Sequence, residues 1–140
     1  MISAYFDQRN PERLFLTRAF FHRIDAYEVL VSEVTVAEIE QVRDLILKNE
    51  MLTLIGPFPV LRLTHISEQL AAEYVRSGAV PKSYPEDAYH LALAVTGDVD
   101  LILSWNFRHI VRRKTKDIVR MISTMRGLRQ VEIATPAELL

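Results

Sequence analysis

Short apolar runs alternate along this chain with longer stretches in which apolar residues recur every three to four positions. Glu28-Val29-Leu30-Val31-Ser32, Val60-Leu61-Arg62-Leu63, Leu101-Ile102-Leu103-Ser104-Trp105 and Val131-Glu132-Ile133 read as strands. Between them lie stretches of helical period. One starts at Pro11 behind a cap at Asn10 and buries Leu14, Phe15, Ala19, Phe20 and Ile24. The next runs from Thr35 through Val36, Ile39, Val42, Leu45 and Ile46 and closes at Lys48-Asn49. A third, capped by Ser67, carries Leu70, Ala71, Tyr74 and Val75 up to Gly78, and a fourth, from Pro85, carries Ala88, Leu91, Ala92 and Val95 up to Gly97. The last has Ile118, Met121, Ile122 and Met125 at core spacing. Each parallel crossover needs a helix, and each strand in such a sheet is buried twice. The alternation therefore predicts an α/β fold with a parallel sheet covered on both faces.

With 140 residues, 49% of them hydrophobic, the chain has enough apolar material for one domain spanning 1–140. No run approaches the roughly 18 apolar residues of a membrane span, and the N-terminus carries no signal-peptide pattern, so a soluble, cytoplasmic setting is expected. The absence of cysteine excludes disulfides and thiolate chemistry, and leaves oxygen and imidazole as the available metal donors. Seventeen Lys and Arg against eighteen Asp and Glu give a charge of −1, so any attraction to nucleic acid must be local.

Functional groups in parallel sheets gather at the carboxyl ends of strands, which directs attention to the residues after Val31 and Leu103. Glu38 lies in the first turns after one strand, Asp87 opens the helix before the Leu101–Leu103 strand, and Asn106 follows that strand. Two carboxylates and an amide form a hard-oxygen set suited to Mg²⁺ or Mn²⁺, which can generate a hydroxide and neutralise phosphodiester charge. Each residue also has a structural reading. Thr35-x-x-Glu38 and Ser83-x-x-Glu86 match capping boxes, Asp87 complements a helix N-terminus, and Asn106 suits a turn. Arg108, Arg112, Arg113, Lys114 and Lys116 form a basic cluster that either holds RNA phosphates or is a solvated connector. His90 and His109 read as packed histidines, and Trp105 and Phe107 as core residues with base stacking as the alternative.

Val31-Ser32-Glu33-Val34-Thr35-Val36-Ala37-Glu38-Ile39, Asp87-Ala88-Tyr89-His90-Leu91-Ala92-Leu93-Ala94 and Asp100-Leu101-Ile102-Leu103-Ser104-Trp105-Asn106-Phe107-Arg108-His109-Ile110 appear in an order that resembles the PIN-domain family of toxin-type ribonucleases. Val131 to Leu139 is similar to that family's closing strand. The resemblance implies a three-layer fold with a central parallel sheet flanked by helices. It also implies a metal-dependent endoribonuclease in which Glu38, Asp87 and Asn106 hold Mg²⁺ or Mn²⁺ and serve catalysis, while Arg108, Arg112, Arg113 and Lys114 contact RNA. Asn106 stands where many members have Asp. The first strand and its metal-binding aspartate have no counterpart here, so weak metal binding and impaired cleavage are expected. The alternative is a noncatalytic PIN-like module that binds protein or RNA. A small antitoxin protein and a homodimer formed through the N-terminal helices are the partners this resemblance implies. A phosphatase or nucleotide-binding fold is disfavoured by the absence of a glycine-rich phosphate loop.

Overall fold

In the computed structural model, which describes residues 1–140, the chain divides into two units: Met1–Arg62 with Pro136–Leu140, and Leu63–Thr135. The fold is mixed α/β, with six α-helices and four short strands paired in two parallel ladders. None of the helices is long and apolar enough to cross a membrane.

In the first unit, a 3-10 turn over Ser3–Tyr5 leads to α1 (Pro11–Phe21). Pro11 occupies the first helical position, where its missing N–H costs nothing, and Asn10 precedes it without a side-chain cap bond. The buried residues of α1 are Thr17 and Phe20, whereas Phe15 is 69% exposed, contrary to its predicted place in the core. The Thr17 hydroxyl can be buried because it donates to the Arg13 carbonyl at 2.6 Å.

Strand β1 (Val31–Ser32) is shorter than predicted, omitting residues 28–30, and its last residue, Ser32, also caps α2 (Glu33–Glu40), its hydroxyl accepting the Thr35 N–H at 3.0 Å. The helix therefore starts before Thr35, and the Thr35-x-x-Glu38 capping box does not form. Nor does one helix run from Thr35 to Asn49. Asp44 is extended, and its carboxylate accepts the N–H groups of Ile46 and Leu47, which ends the first helical pattern and begins α3 (Leu45–Ile55). Strand β2 (Val60–Leu61) pairs in parallel with β1, Val31 opposite Val60 and Ser32 opposite Leu61. The core beneath this crossover is Val31, Ile39, Met51 and Ile55, with Phe6, Val36 and Phe58 packed against it.

In the second unit, Thr64 rather than Ser67 caps α4 (His65–Arg76). Ser67 is the reciprocal partner three residues on, so the two hydroxyls satisfy both ends of a capping box. Helix α5 (Pro85–Thr96) begins with Pro85 at its first position and has no side-chain cap, so the Ser83-x-x-Glu86 box is also absent. Strand β3 (Leu101–Leu103) and strand β4 (Glu132–Ala134) pair in parallel across α6 (Arg113–Arg126), Ile102 opposite Ile133. Asp100 C=O accepts from Glu132 N–H and Ser104 N–H donates to Ala134 C=O, both at 3.0 Å. Even-numbered residues of β3 thus bond β4, and the main-chain groups of Leu101 and Leu103 point to the other edge, which carries no paired strand.

Helix α6 buries Thr115, Val119, Ile122 and Ser123, which leaves Met121 50% and Met125 76% exposed rather than in the core. It stops at Gly127, whose φ of 65° is the left-handed conformation that a helix terminus of this kind favours in glycine. Leu70, Tyr74, Val80, Leu91, Val119 and Ile133 lie at the centre of this unit's core.

Candidate functional site

The first turn of α5 and the turn that follows β3 meet through side-chain hydrogen bonds. Asp87 sits three residues into α5 beyond Tyr84, and its N–H donates to the Tyr84 carbonyl at 3.2 Å. Beyond Leu103 the chain leaves the ladder at Ser104, a buried residue whose hydroxyl accepts the Asn106 N–H at 3.0 Å. The Asn106 carbonyl accepts from both Ile110 and Val111, closing a tight turn. The Asn106 side-chain oxygen accepts the His109 N–H at 3.0 Å, and this fixes the amide orientation because a backbone N–H requires an acceptor. Its Nδ2 is then left to donate to Asp87 Oδ1 at 3.3 Å, while His109 Nδ1 lies 2.9 Å from Asp87 Oδ2. Both carboxylate oxygens are engaged.

The Asp87 and His109 side chains are only 14% and 16% exposed. Burial pushes the Asp87 carboxyl above its ordinary value, opposed by the His109 hydrogen bond and by the charges of His109 and His90, and reinforced by Glu86. With Asp87 ionised, Nδ1–H of His109 donates to it and Nε2 is the basic nitrogen. The imidazole is held from two further sides. The Tyr84 ring lies over it at 4.4 Å between centroids, and the His109 carbonyl is 2.8 Å from the Thr115 hydroxyl. Thr115 is fully buried, also lies 2.7 Å from the Ala79 carbonyl, and accepts from Arg112 Nε at 2.7 Å. Its single proton is shared between two carbonyls.

Comparison with protein-family models, curated proteins and solved structures gives no match. The functional reading therefore rests on these residues.

Of the three acids and amides singled out in the sequence, the structure brings Asp87 and Asn106 together. Glu38 belongs to the other unit, exposed on the second turn of α2. Burial lowers the pKa of the Met1 α-amino group below its ordinary value, opposed in part by the charge of Glu38. No three His, Asp or Glu side chains gather closely enough to share a cation. In the basic cluster, Arg108 and Lys114 are exposed, while Arg113 is exposed beside Asp117 at 3.7 Å. Arg112 is engaged internally, donating to Thr115 Oγ1 and to the Ala79 carbonyl. A cavity of about 550 Å³ lined by Ile66, Gln69, Arg76 and Thr96 includes none of the candidate residues, and the Arg126–Glu73 pair at its wall is mutually neutralised at 2.6 Å.

Sequence reasoning missed His109 as a partner of Asp87. The available signal was the Asn106-x-x-His109 spacing, which places a titratable ring on the far side of a turn that the asparagine organises.

Proposed function

We propose that this chain is a PIN-type ribonuclease module whose chemical centre is the Asp87–His109 pair at the carboxyl end of β3. The observation that carries this reading is the 2.9 Å contact between Asp87 Oδ2 and His109 Nδ1 in a half-buried setting, where a carboxylate fixes the tautomer and leaves Nε2 to accept a proton. In this reading Nε2 takes the proton from the RNA 2′-hydroxyl as its oxygen bonds to phosphorus, the P–O5′ bond breaks, and the departing 5′-oxygen takes a proton from solvent. Asp87 stabilises the imidazolium that results, and Asn106 holds both residues in register. Arg108, Arg113 and Lys114 supply positive charge for the RNA backbone. The PIN-like three-layer fold is part of the same proposal, supported by two parallel strand–helix–strand crossovers in the order the resemblance implies.

The family's Mg²⁺ or Mn²⁺ fits these residues poorly as they stand. Asp87 and Asn106 offer one carboxylate and one amide oxygen, all already accepting hydrogen bonds, and the buried carboxyl has a raised pKa, whereas a cation site needs several free oxygens of negative charge. A homodimer is proposed on the exposed Phe15 of α1, together with Leu45 and Ile46 of α3, and a small antitoxin remains the heterologous partner the resemblance implies.

The test is cleavage of a mixed RNA substrate by the native chain, Asp87→Asn and His109→Gln, each with Mn²⁺ and with EDTA. Cleavage that survives EDTA and is lost in both variants supports the pair as the centre; cleavage by Mn²⁺ alone returns the work to a metal. Undiminished cleavage by Asp87→Asn overturns the assignment. RNA binding without cleavage in every arm favours the noncatalytic PIN-like module.

A further inference from the structure

The cavity of about 550 Å³ runs along α4, beside the last residues of α5 and α6, and belongs wholly to Leu63–Thr135. Thr96, at the end of α5, lines it, whereas Asp87 lies nine residues earlier in the same helix, roughly 14 Å away along the axis. Its apolar lining comes chiefly from Ile66, Leu70 and Leu128. Leu70 is buried and Leu128 packs on the core, but Ile66 is 66% exposed, an aliphatic side chain left in water within a concave wall.

The charged lining does not balance. Arg76, Arg126 and Glu73 supply two guanidinium groups and one carboxylate, a net of one positive charge. On an isolated helix Glu73 would serve Arg76, three residues later. Here Arg126 reaches across from α6 and takes the carboxylate at 2.6 Å, so Arg76 keeps its charge without an ion-pair partner. Arg76 also meets the negative end of α4 from its last turn, which accounts for a cation there but leaves its fork of donors unspent. Helical side chains lean toward the N-terminus, so this fork hangs over the cavity rather than off the helix end.

We infer that this cavity binds a small amphipathic monocarboxylate, its carboxylate forked on Arg76 and its hydrocarbon body laid over Ile66, Leu70 and Leu128. Concavity, an aliphatic floor and a few polar groups at the wall are the ordinary makings of a ligand site. A guanidinium recognises a carboxylate through a pair of parallel N–H···O bonds, and the hydrocarbon stabilises the complex through the apolar area it removes from water. A dianion such as a phosphate monoester is matched less well. The wall has one spare charge, Gln69 is engaged with His65 at 3.1 Å, and the Thr96 hydroxyl donates to the Ala92 carbonyl at 2.8 Å. The site is separate from the Asp87–His109 pair, and the inference does not rest on the ribonuclease reading.

The experiment measures binding of octanoate and of its neutral isostere octanamide, by calorimetry and by amide chemical shifts, to the native chain, Arg76→Gln and Ile66→Asp. Both replaced side chains are exposed, and aspartate suits the first turn of α4, so neither change should unfold the protein. The native chain should prefer octanoate. Arg76→Gln should weaken octanoate roughly ten-fold, the scale of a lost charge-assisted hydrogen bond, and leave octanamide unchanged. Ile66→Asp should weaken both ligands, and octanoate the more because it adds a like charge. The shifts in the native chain should centre on Leu70, Thr96 and Leu128 and pass over Asp87 and His109. Equal octanoate binding by native and Arg76→Gln proteins, shifts centred on the exposed Phe15 and Ile46, or no binding at millimolar octanoate would overturn the site.

Discussion

His109 Nδ1 and Asp87 Oδ2 stand 2.9 Å apart, the imidazole reaching from the turn after β3 to a carboxylate in the first turn of α5. Removing the imidazole leaves a half-buried carboxylate short of its donor. His109→Ala should therefore destabilise the protein by about 1–3 kcal/mol, and the loss should shrink in an Asp87→Asn background, where no charge is stranded. Urea denaturation of the four proteins of the cycle measures the coupling; strict additivity would mean that the pair contributes nothing beyond its separate contacts.

The raised pKa of Asp87 makes a statement about pH. Its folded value lies above the ordinary 3.8, with burial as the principal cause, so the ionised form opposes folding. That cost is absent below the unfolded value, grows as pH rises through the folded value, and is complete above it. Asp87→Asn removes the titration, so its stability relative to the native chain should increase as pH is taken from about 4 to 7. A difference that stays flat between those pH values would contradict the assignment of the cost to Asp87.

Thr115 joins three segments by one hydroxyl, lying 2.7 Å from the Ala79 carbonyl and 2.8 Å from the His109 carbonyl while accepting from Arg112. Thr115→Val keeps the shape and removes every one of these bonds, leaving the His109 carbonyl and Arg112 Nε short of a partner, while the Ala79 carbonyl keeps its bond from Arg112 Nη2 at 3.1 Å. A loss of about 2 kcal/mol is expected and, under the proposed ribonuclease reading, weaker RNA cleavage because the His109 backbone is no longer tied, while Thr115→Ser should retain most of both. Thermal melts and cleavage rates for the two variants provide the comparison.

Tyr74 is fully buried and its hydroxyl has no hydrogen-bond partner, a burial that also pushes its pKa upward. Tyr74→Phe deletes an unsatisfied group and keeps the ring. The melting temperature should hold or rise, corresponding to at most about 1 kcal/mol of added stability. A marked drop would reveal a partner for the hydroxyl in solution.

The strand–helix alternation was legible in the sequence because periodicity is a local property, and all four strands overlap the predicted runs, although the single helix expected from Thr35 to Asn49 is two, α2 and α3. Their ends were not. Ser32, Asp44 and Thr64 each turn a side chain back on the main chain to start a helix, and the residue types alone could not say which of several capping candidates would do so. At the site, Asp87 and Asn106 could be named from their positions beside β3, but their bond could not, since it joins residues nineteen apart through side-chain geometry. His109 and Tyr84 were lost for a related reason. A histidine beside Ile110 reads as packing until its partner is known, and Tyr84 acquires meaning only from the imidazole beneath it. The exposure of Phe15, Met121 and Met125 shows the same limit on the apolar side, where spacing marks a stripe but not how wide a stripe the neighbours will cover.

The one-sided pairing of β3 divides its residues into two populations by parity. Ile102 and Ser104 have their amides tied into or toward β4, while the amides of Leu101 and Leu103 address an edge without a strand. In deuterated solvent the segment should therefore label in an every-other-residue rhythm, with Leu101 and Leu103 exchanging ahead of Ile102 and Ser104. That rhythm is a signature of vacancy in the ladder: any extended segment that docks there, from this molecule or another, would erase it by slowing the odd positions to match the even ones.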